Sequence, residues 1–166
     1  ENILNVAKIL EISHPKIQFL IAGDGPEKKK VQKAEKKSRN LTYLGKLKPS
    51  ELCAVLNFCD VGLAAYSSSS NVEMPDKFYD YTAAGLAIIC SLKGEVLDKI
   101  NGGNAGLEYE AGNLDSLKMA ILKITSDGAF LNRLKSSSYD LAKEFSSENQ
   151  NKKLLKFVKK IIADNF

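Results

Sequence analysis

Three residues set close together could do chemistry on an anion: Asp76, Lys77 and Asp80, which follow Pro75 in the run MPDKFYDYTAAG. Proline suits the first turn of a helix, because its missing N–H would have had no partner there. The amides of Asp76 and Lys77 are then free to point out of the helix end. The dipole adds partial positive charge at that end, and the Lys77 ammonium adds a full one. One turn further on, Asp80 shares the face of Asp76 and Lys77. An anion cradle with a carboxylate one turn behind it suits a diphosphate attached to a ribose. Taken alone, the same pattern also describes a packed helix with a wet face.

The elements that must position these residues tip the balance. The runs at 17–22 (IQFLIA) and 61–65 (VGLAA) are short and nearly continuously apolar, the mark of buried strands, and the first is expected to be covered on both faces. Further strands are expected over Leu41 to Leu44, Leu86 to Cys90 and Ala105 to Tyr109. Helical periods fall between them: up to Ile12, from Pro26 to Lys37, from Pro49 to Cys59 with Leu52, Val55 and Leu56 on one face, from Pro75 to Ala84, and from Val96 to Ile100. From Asn113 onward the chain reads as helix. Asn113 is expected to cap the run to Thr125, and Ser146 or Ser147 to cap a last helix with Leu154, Leu155, Val158, Ile161 and Ile162 on its inner side. Strands alternating with helices predict an α/β fold, a Rossmann-like parallel sheet with helices on both faces and a helical C-terminus. Ligands of such sheets sit beyond the carboxyl ends of the strands. Three polar signals fall there: Gly23-Asp24-Gly25, Gly45-Lys46, and Ser67 to Lys77.

Composition narrows the class. A chain of 166 residues, 44% apolar and 27% charged, is one soluble domain by these measures. No apolar run reaches the ~20 residues of a membrane span. The opening ENILNVAKIL reads as an amphipathic helix already under way rather than a signal peptide, so the chain is expected to continue ahead of Glu1. Cys53, Cys59 and Cys90 lack metal or redox spacing and are expected as buried free thiols in a reducing, cytoplasmic setting. A single histidine, His14, leaves a His-based triad or zinc site short of parts, so no metal is expected. Lysines cluster over 28–37 and 152–160; they are solvated helix faces or an attraction to a membrane surface, a lipid-linked acceptor or another phosphorylated one. No aromatic residues interleave with them, so no nucleic-acid partner is expected.

The turn GDGPEK lacks the third glycine of a dinucleotide fingerprint, since Lys28 stands in its place. No acidic residue ends the next strand either. An NAD site is not expected, though the two glycines still allow a ligand close to the backbone.

Read together, FLIAGDGPE, LTYLGKLKPSEL, CDVGLAAY and MPDKFYDYTAAGLAIICSLKGE resemble the C-terminal half of GT-B glycosyltransferases, in particular the retaining group 1 or family four enzymes. The resemblance covers nearly the whole chain. It implies one nucleotide-sugar-binding domain over 1–166, truncated at its N-terminus and lacking the acceptor domain of the same longer polypeptide. It implies a UDP-sugar donor as substrate, no cofactor or metal, and a place in bacterial surface polysaccharide synthesis. By this likeness Asp80 holds the ribose hydroxyls, and the helix start at Pro75, Asp76 and Lys77 holds the diphosphate. Gly23 and Gly25 line the donor pocket, and the Gly45-Lys46 backbone lies beside the base. The family pattern places two glutamates with seven residues between them. Here Asp80 replaces the second and Val72 stands at the first, while Glu73 leaves only six residues between and would contact the sugar through a shifted loop. Glu73 and Lys77 are therefore the catalytic candidates. The family's Arg/Lys pair follows a strand ahead of Glu1. The alternative is a non-catalytic nucleotide-binding or scaffold module. A sugar epimerase of the same fold would need carboxylates and a histidine that have no place here.

Overall fold

The computed structural model describes Glu1 to Asn165; Phe166 lies outside the described residues. The order is α1 (Asn2–Ser13), β1 (Phe19–Ala22), α2 (Lys28–Glu35), β2 (Leu41–Gly45), α3 (Pro49–Phe58), β3 (Val61–Ala64), α4 (Asp76–Ala83), β4 (Ala87–Cys90), α5 (Glu95–Gly102), β5 (Gly106–Glu108), α6 (Leu114–Thr125), α7 (Gly128–Glu144) and α8 (Ser147–Asn165). All strand pairings are parallel, as the alternation with helices requires. The strands form two sheets, β1-β2 and β3-β4-β5, rather than one.

β4 is the pillar of the larger sheet. Side chains of a strand alternate between faces, and both faces of β4 are covered. Ala87 and Ile89 join Val6, Ala7 and Leu10 of α1 and Leu117, Ile121 and Ile124 of α6. Ile88 and Cys90 turn the other way, onto Phe78 of α4 and Val96 and Ile100 of α5. Each of Ile88 and Ile89 is wholly buried, worth about 1.5–3 kcal/mol relative to exposure. The helices thus lie on both faces, as the pattern predicts.

Several local expectations are corrected. β1 is not covered on both faces: Leu20 is 43% exposed and Ala22 lies open. In β3, Val61 and Leu63 are only half-buried. α3 buries none of its residues, although Leu52, Val55 and Leu56 do share a face. These departures have one cause: an open groove between the β1 and β3 edges, lined by Leu20, Leu52, Val55, Leu56, Val61 and Leu63. The cysteines are free, but only Cys90 is buried, and Cys53 is exposed on the outer side of α3. Pro75 is the cap of α4, extended at ψ 150°, and the first helical residue is Asp76. Asn113 caps α6 by accepting from the Ser116 amide at 3.0 Å. Ser146 takes the Asn149 amide at the start of α8. The apolar stripe of α8 does not point inward: Leu154, Leu155, Phe157 and Ile162 are each more than half exposed. α8 is anchored mainly at its start, where Asn149 and Gln150 donate to the last carbonyls of α7 and Lys153 pairs with Glu144.

Gly106 begins β5 directly against β4, and a Cβ there would lie on the Ile88 carbonyl. Backbone held by the ladder on β4 cannot yield, so Gly106→Ala should lose about 1–3 kcal/mol in urea unfolding. Gly128→Ala, with open space around it at the start of α7, should be neutral or slightly stabilising.

Candidate functional site

Two glycine turns end the smaller sheet and are stitched together. Gly23 sits at φ +133° and Gly45 at φ +68°, both in the region that favours glycine. The Gly23 N–H donates to the Gly45 carbonyl at 2.7 Å, and the Tyr43 hydroxyl donates to the Gly23 carbonyl at 2.7 Å. Beside them Asp24 pairs with Lys28 at 2.7 Å. The hydrogen bond from Lys28 holds the Asp24 carboxyl below its ordinary value, and Lys46 adds to the effect; Lys28 is raised in turn. Both partners lie in water, which screens the pair.

The third component is the start of α4. Phe78 and Thr82 point inward and are buried, so the helix must turn Asp76, Lys77 and Asp80 outward. No side chain caps this end, so the first amides, at Asp76 and Lys77, stay open. Lys77 Nζ lies 5.3 Å from the centre of the Tyr66 ring, a cation–π distance. Tyr66 is itself clamped: its amide donates to Ser91 Oγ at 2.8 Å and its carbonyl accepts from that hydroxyl at 3.0 Å. The serine run ahead of α4 is surface loop, with Ser67 and Ser69 hydrogen-bonded to each other.

These pieces face one cavity of about 960 Å³. Gly23, Lys46, Asp76, Lys77 and Asp80 all line it. The turn after β1 and the beginning of α4 therefore address the same space. Gly25, Gly45, Glu73 and Pro75 do not line it. Gly45 acts only through its bond to Gly23, Pro75 is buried beneath the helix start, and Glu73 is exposed on the loop. A smaller cavity of about 460 Å³ beside Glu11 and Arg39 contains none of these residues.

Sequence reasoning missed three participants: Tyr43, Ser91 and Tyr81. Tyr81 had a legible signal, since it stands one turn after Lys77 on the same helix. Its ring packs where a Cβ on Gly62 would be, it lines the cavity, and its hydroxyl donates to the Leu63 carbonyl at 3.3 Å. Tyr43 and Ser91 act through backbone partners that no spacing announces.

A family model described as glycosyl transferases group 1 matches residues 3–127. A chitobiosyldiphosphodolichol beta-mannosyltransferase from Kluyveromyces lactis is 31% identical over 100 residues, which is 57% of this chain and 22% of that protein. Among solved structures, the sucrose-phosphate synthase of Thermosynechococcus elongatus superposes with a TM-score of 0.73 at 18% identity, over 97% of this chain and 42% of that one. Anabaena Alr3699/HepE, solved in complex with UDP, gives 0.76 at 14% identity, over 94% of this chain and 44% of that one. Structural likeness at such low identity shows the fold. The chain spans less than half the length of each of these relatives.

Burial pushes the Tyr81 hydroxyl up to about 12, with Tyr66, Asp80 and Cys59 contributing. A group whose pKa is raised on folding binds its proton more tightly in the native state, so stability falls as pH climbs past the unfolded value near 10. Urea unfolding between pH 9 and 12 should show a loss of about 1.4 kcal/mol per pH unit from this group while pH lies between the two values. Tyr81→Phe should remove that part of the slope; an identical profile in the variant would contradict it.

Proposed function

The chain belongs to the group 1 glycosyl transferases, and from that premise we propose that it forms the donor-binding half of a retaining glycosyltransferase that uses a UDP-sugar. The observation that carries this reading is the convergence of Gly23, Lys46, Asp76, Lys77 and Asp80 on one cavity beyond the strand ends. The UDP found with HepE supports the choice of nucleotide.

In this reading the open amides of Asp76 and Lys77 and the Lys77 ammonium receive the diphosphate. As the bond from sugar to diphosphate breaks, negative charge grows on the leaving oxygen. Donors already aimed at that place stabilise it without reorganising. Asp80 accepts hydrogen bonds from the ribose hydroxyls. Gly23 has no Cβ to block approach of the donor, and Lys46 stands beside the base. Lys77 and the helix end take the neutralising role that a metal has in other transferases, joined by a cationic pair on polypeptide ahead of Glu1. Glu73 reaches the sugar only if the loop at 67–74 shifts, so Lys77 carries the catalytic assignment. A second domain of the longer polypeptide binds the acceptor. The setting is the cytoplasmic face of the membrane, where the exposed lysines of α2 attract anionic surfaces and surface polysaccharide is assembled. Among the described residues, no helix is long and apolar enough to cross the membrane itself.

Calorimetry of this chain with UDP tests the reading. Weak binding is expected, with a Kd on the order of 0.1–1 mM, and no sugar transfer by the chain alone. Asp80→Ala should weaken binding about tenfold, as for a lost hydrogen bond to a charged group. Lys77→Ala should weaken it at least as much, and Lys36→Ala, at the C-terminal cap of α2 and outside the cavity lining, should leave it unchanged. No heat at millimolar UDP, or an Asp80→Ala isotherm equal to the parent's, would sink the proposal.

A further inference from the structure

Lys77 stands among carboxylates, yet its ammonium rests on a ring. Glu73 lies four residues before it, Asp76 next to it and Asp80 three residues after, all exposed. Residues three apart on a helix are within reach of each other. Among the described residues Lys77 forms no ion pair, and Nζ lies 5.3 Å from the centre of the Tyr66 ring. Two other lysines set over rings differ in this respect. Lys99 over Phe145 also holds Glu144 at 2.9 Å, and Lys143 over Tyr139 also holds Asp140 at 2.6 Å. Lys77 has the ring alone.

That ring is fixed twice over. The buried Ser91 side chain takes the Tyr66 amide and donates to the Tyr66 carbonyl, so one hydroxyl latches both backbone groups. The ring itself packs against the buried cluster that contains Phe78 and Val96. From Ser67 to Ser69 the loop is exposed, so Tyr66 is the last anchored residue before it. Tyr66 does not line the cavity, whereas Lys77 does; the ring therefore meets that space through the lysine. A lysine side chain has many rotamers to lose on meeting an anion, and a partner that narrows them beforehand lowers that loss. A neutral ring suits this better than a carboxylate. It attracts the ammonium, and when the ammonium moves onto a diphosphate it leaves no unpaired charge behind.

We propose that Tyr66 is a positioning residue for Lys77: its ring holds the ammonium clear of Asp80 and Glu73, so that Lys77 and Asp80 both stay open to the diphosphate and ribose of a nucleoside-diphosphate donor. Without the ring, Lys77 closes onto a neighbouring carboxylate, and the two groups that should receive the donor neutralise each other. The effect on donor binding rests on the donor-site reading; the hold of Tyr66 on Lys77 does not.

The test has two arms, on the parent chain, Tyr66→Phe and Tyr66→Leu. The first is NMR without nucleotide, so failure of the donor reading leaves it untouched. The Lys77 ε-methylene protons should resonate upfield in the parent and in Tyr66→Phe, shielded by the ring, and lose that shift in Tyr66→Leu. Equal shifts in the parent and Tyr66→Leu overturn the proposal. The second arm is calorimetry with UDP. Tyr66→Leu should weaken binding about two- to fivefold, the ratio a surface cation–π contact corresponds to, and Tyr66→Phe should restore it. In a Lys77→Met background Tyr66→Leu should have no further effect; the same loss there would assign Tyr66 a role independent of Lys77 and overturn the proposal. Should Tyr66→Leu fail to fold, Tyr66→trifluorophenylalanine keeps the shape of the ring and removes its negative face. It should weaken UDP relative to Tyr66→Phe, and equal affinities overturn the proposal. No UDP binding by the parent, with the Lys77 shift present, would sink the donor reading and leave the hold on Lys77 standing.

Discussion

The burial of β4 on both faces is the constraint on which the remainder of the molecule depends. Ile88 and Ile89 are neighbours in the chain yet belong to different apolar clusters, because adjacent side chains of a strand leave on opposite faces. Everything covering β4 is therefore locked to a common centre: α1 and α6 through one cluster, α4 and α5 through the other. The position of the rim is a by-product of this packing. Phe78 and Thr82 hold α4 down by their burial, and the outward face then has no choice but to be Asp76, Lys77 and Asp80. The Ser91 hydroxyl, one residue past β4, holds Tyr66 from below, so the loop leading toward α4 is tied to the same strand.

The electrostatics of the rim contrast with those elsewhere on the surface. Most lysines with a close carboxylate are paired: Lys28 with Asp24, Lys93 with Glu108, Lys99 with Glu144 and Lys135 with Asp60. Among the described residues, Lys77 has no ion pair and rests over an aromatic ring, and Asp80 has no side-chain partner. A cation held near a ring and an uncapped helix end keep their attraction for an incoming anion, whereas a paired lysine has already spent it. That difference gives the rim its chemical character.

Much of the architecture was legible because it is written in local pattern. The alternation of strands and helices, the Asn113 cap and the placement of Gly23, Lys46, Asp76, Lys77 and Asp80 beyond strand ends all follow from period, turn chemistry and chain order. What could not be read depends on distant partners. IQFLIA looks like a doubly covered strand because its composition is that of one, yet the described residues leave Leu20 43% exposed. Composition reports the environment a strand suits, and the described residues supply it only in part. The same holds for Leu52, Val55 and Leu56 of α3, whose apolar face meets an open trench. Cys53 was expected inside because cysteine is usually buried, but α3 has no inner layer to take it. Tyr43 and Ser91 were invisible because each acts on a carbonyl or amide far along the chain. Glu73 was singled out for its spacing alone, and spacing says little on an irregular loop.

The last helix has a consequence for the handling of the protein. At the angular step of an α-helix, Leu154, Leu155, Phe157, Val158, Ile161 and Ile162 fall on one side of α8, while Lys152, Lys153, Lys156, Lys159 and Lys160 fall on the other. With its oily side in water, such a rod is built like a detergent molecule. In dilute solution it is the part that first coats a vial wall or an air bubble, and a trace of mild surfactant is the natural remedy.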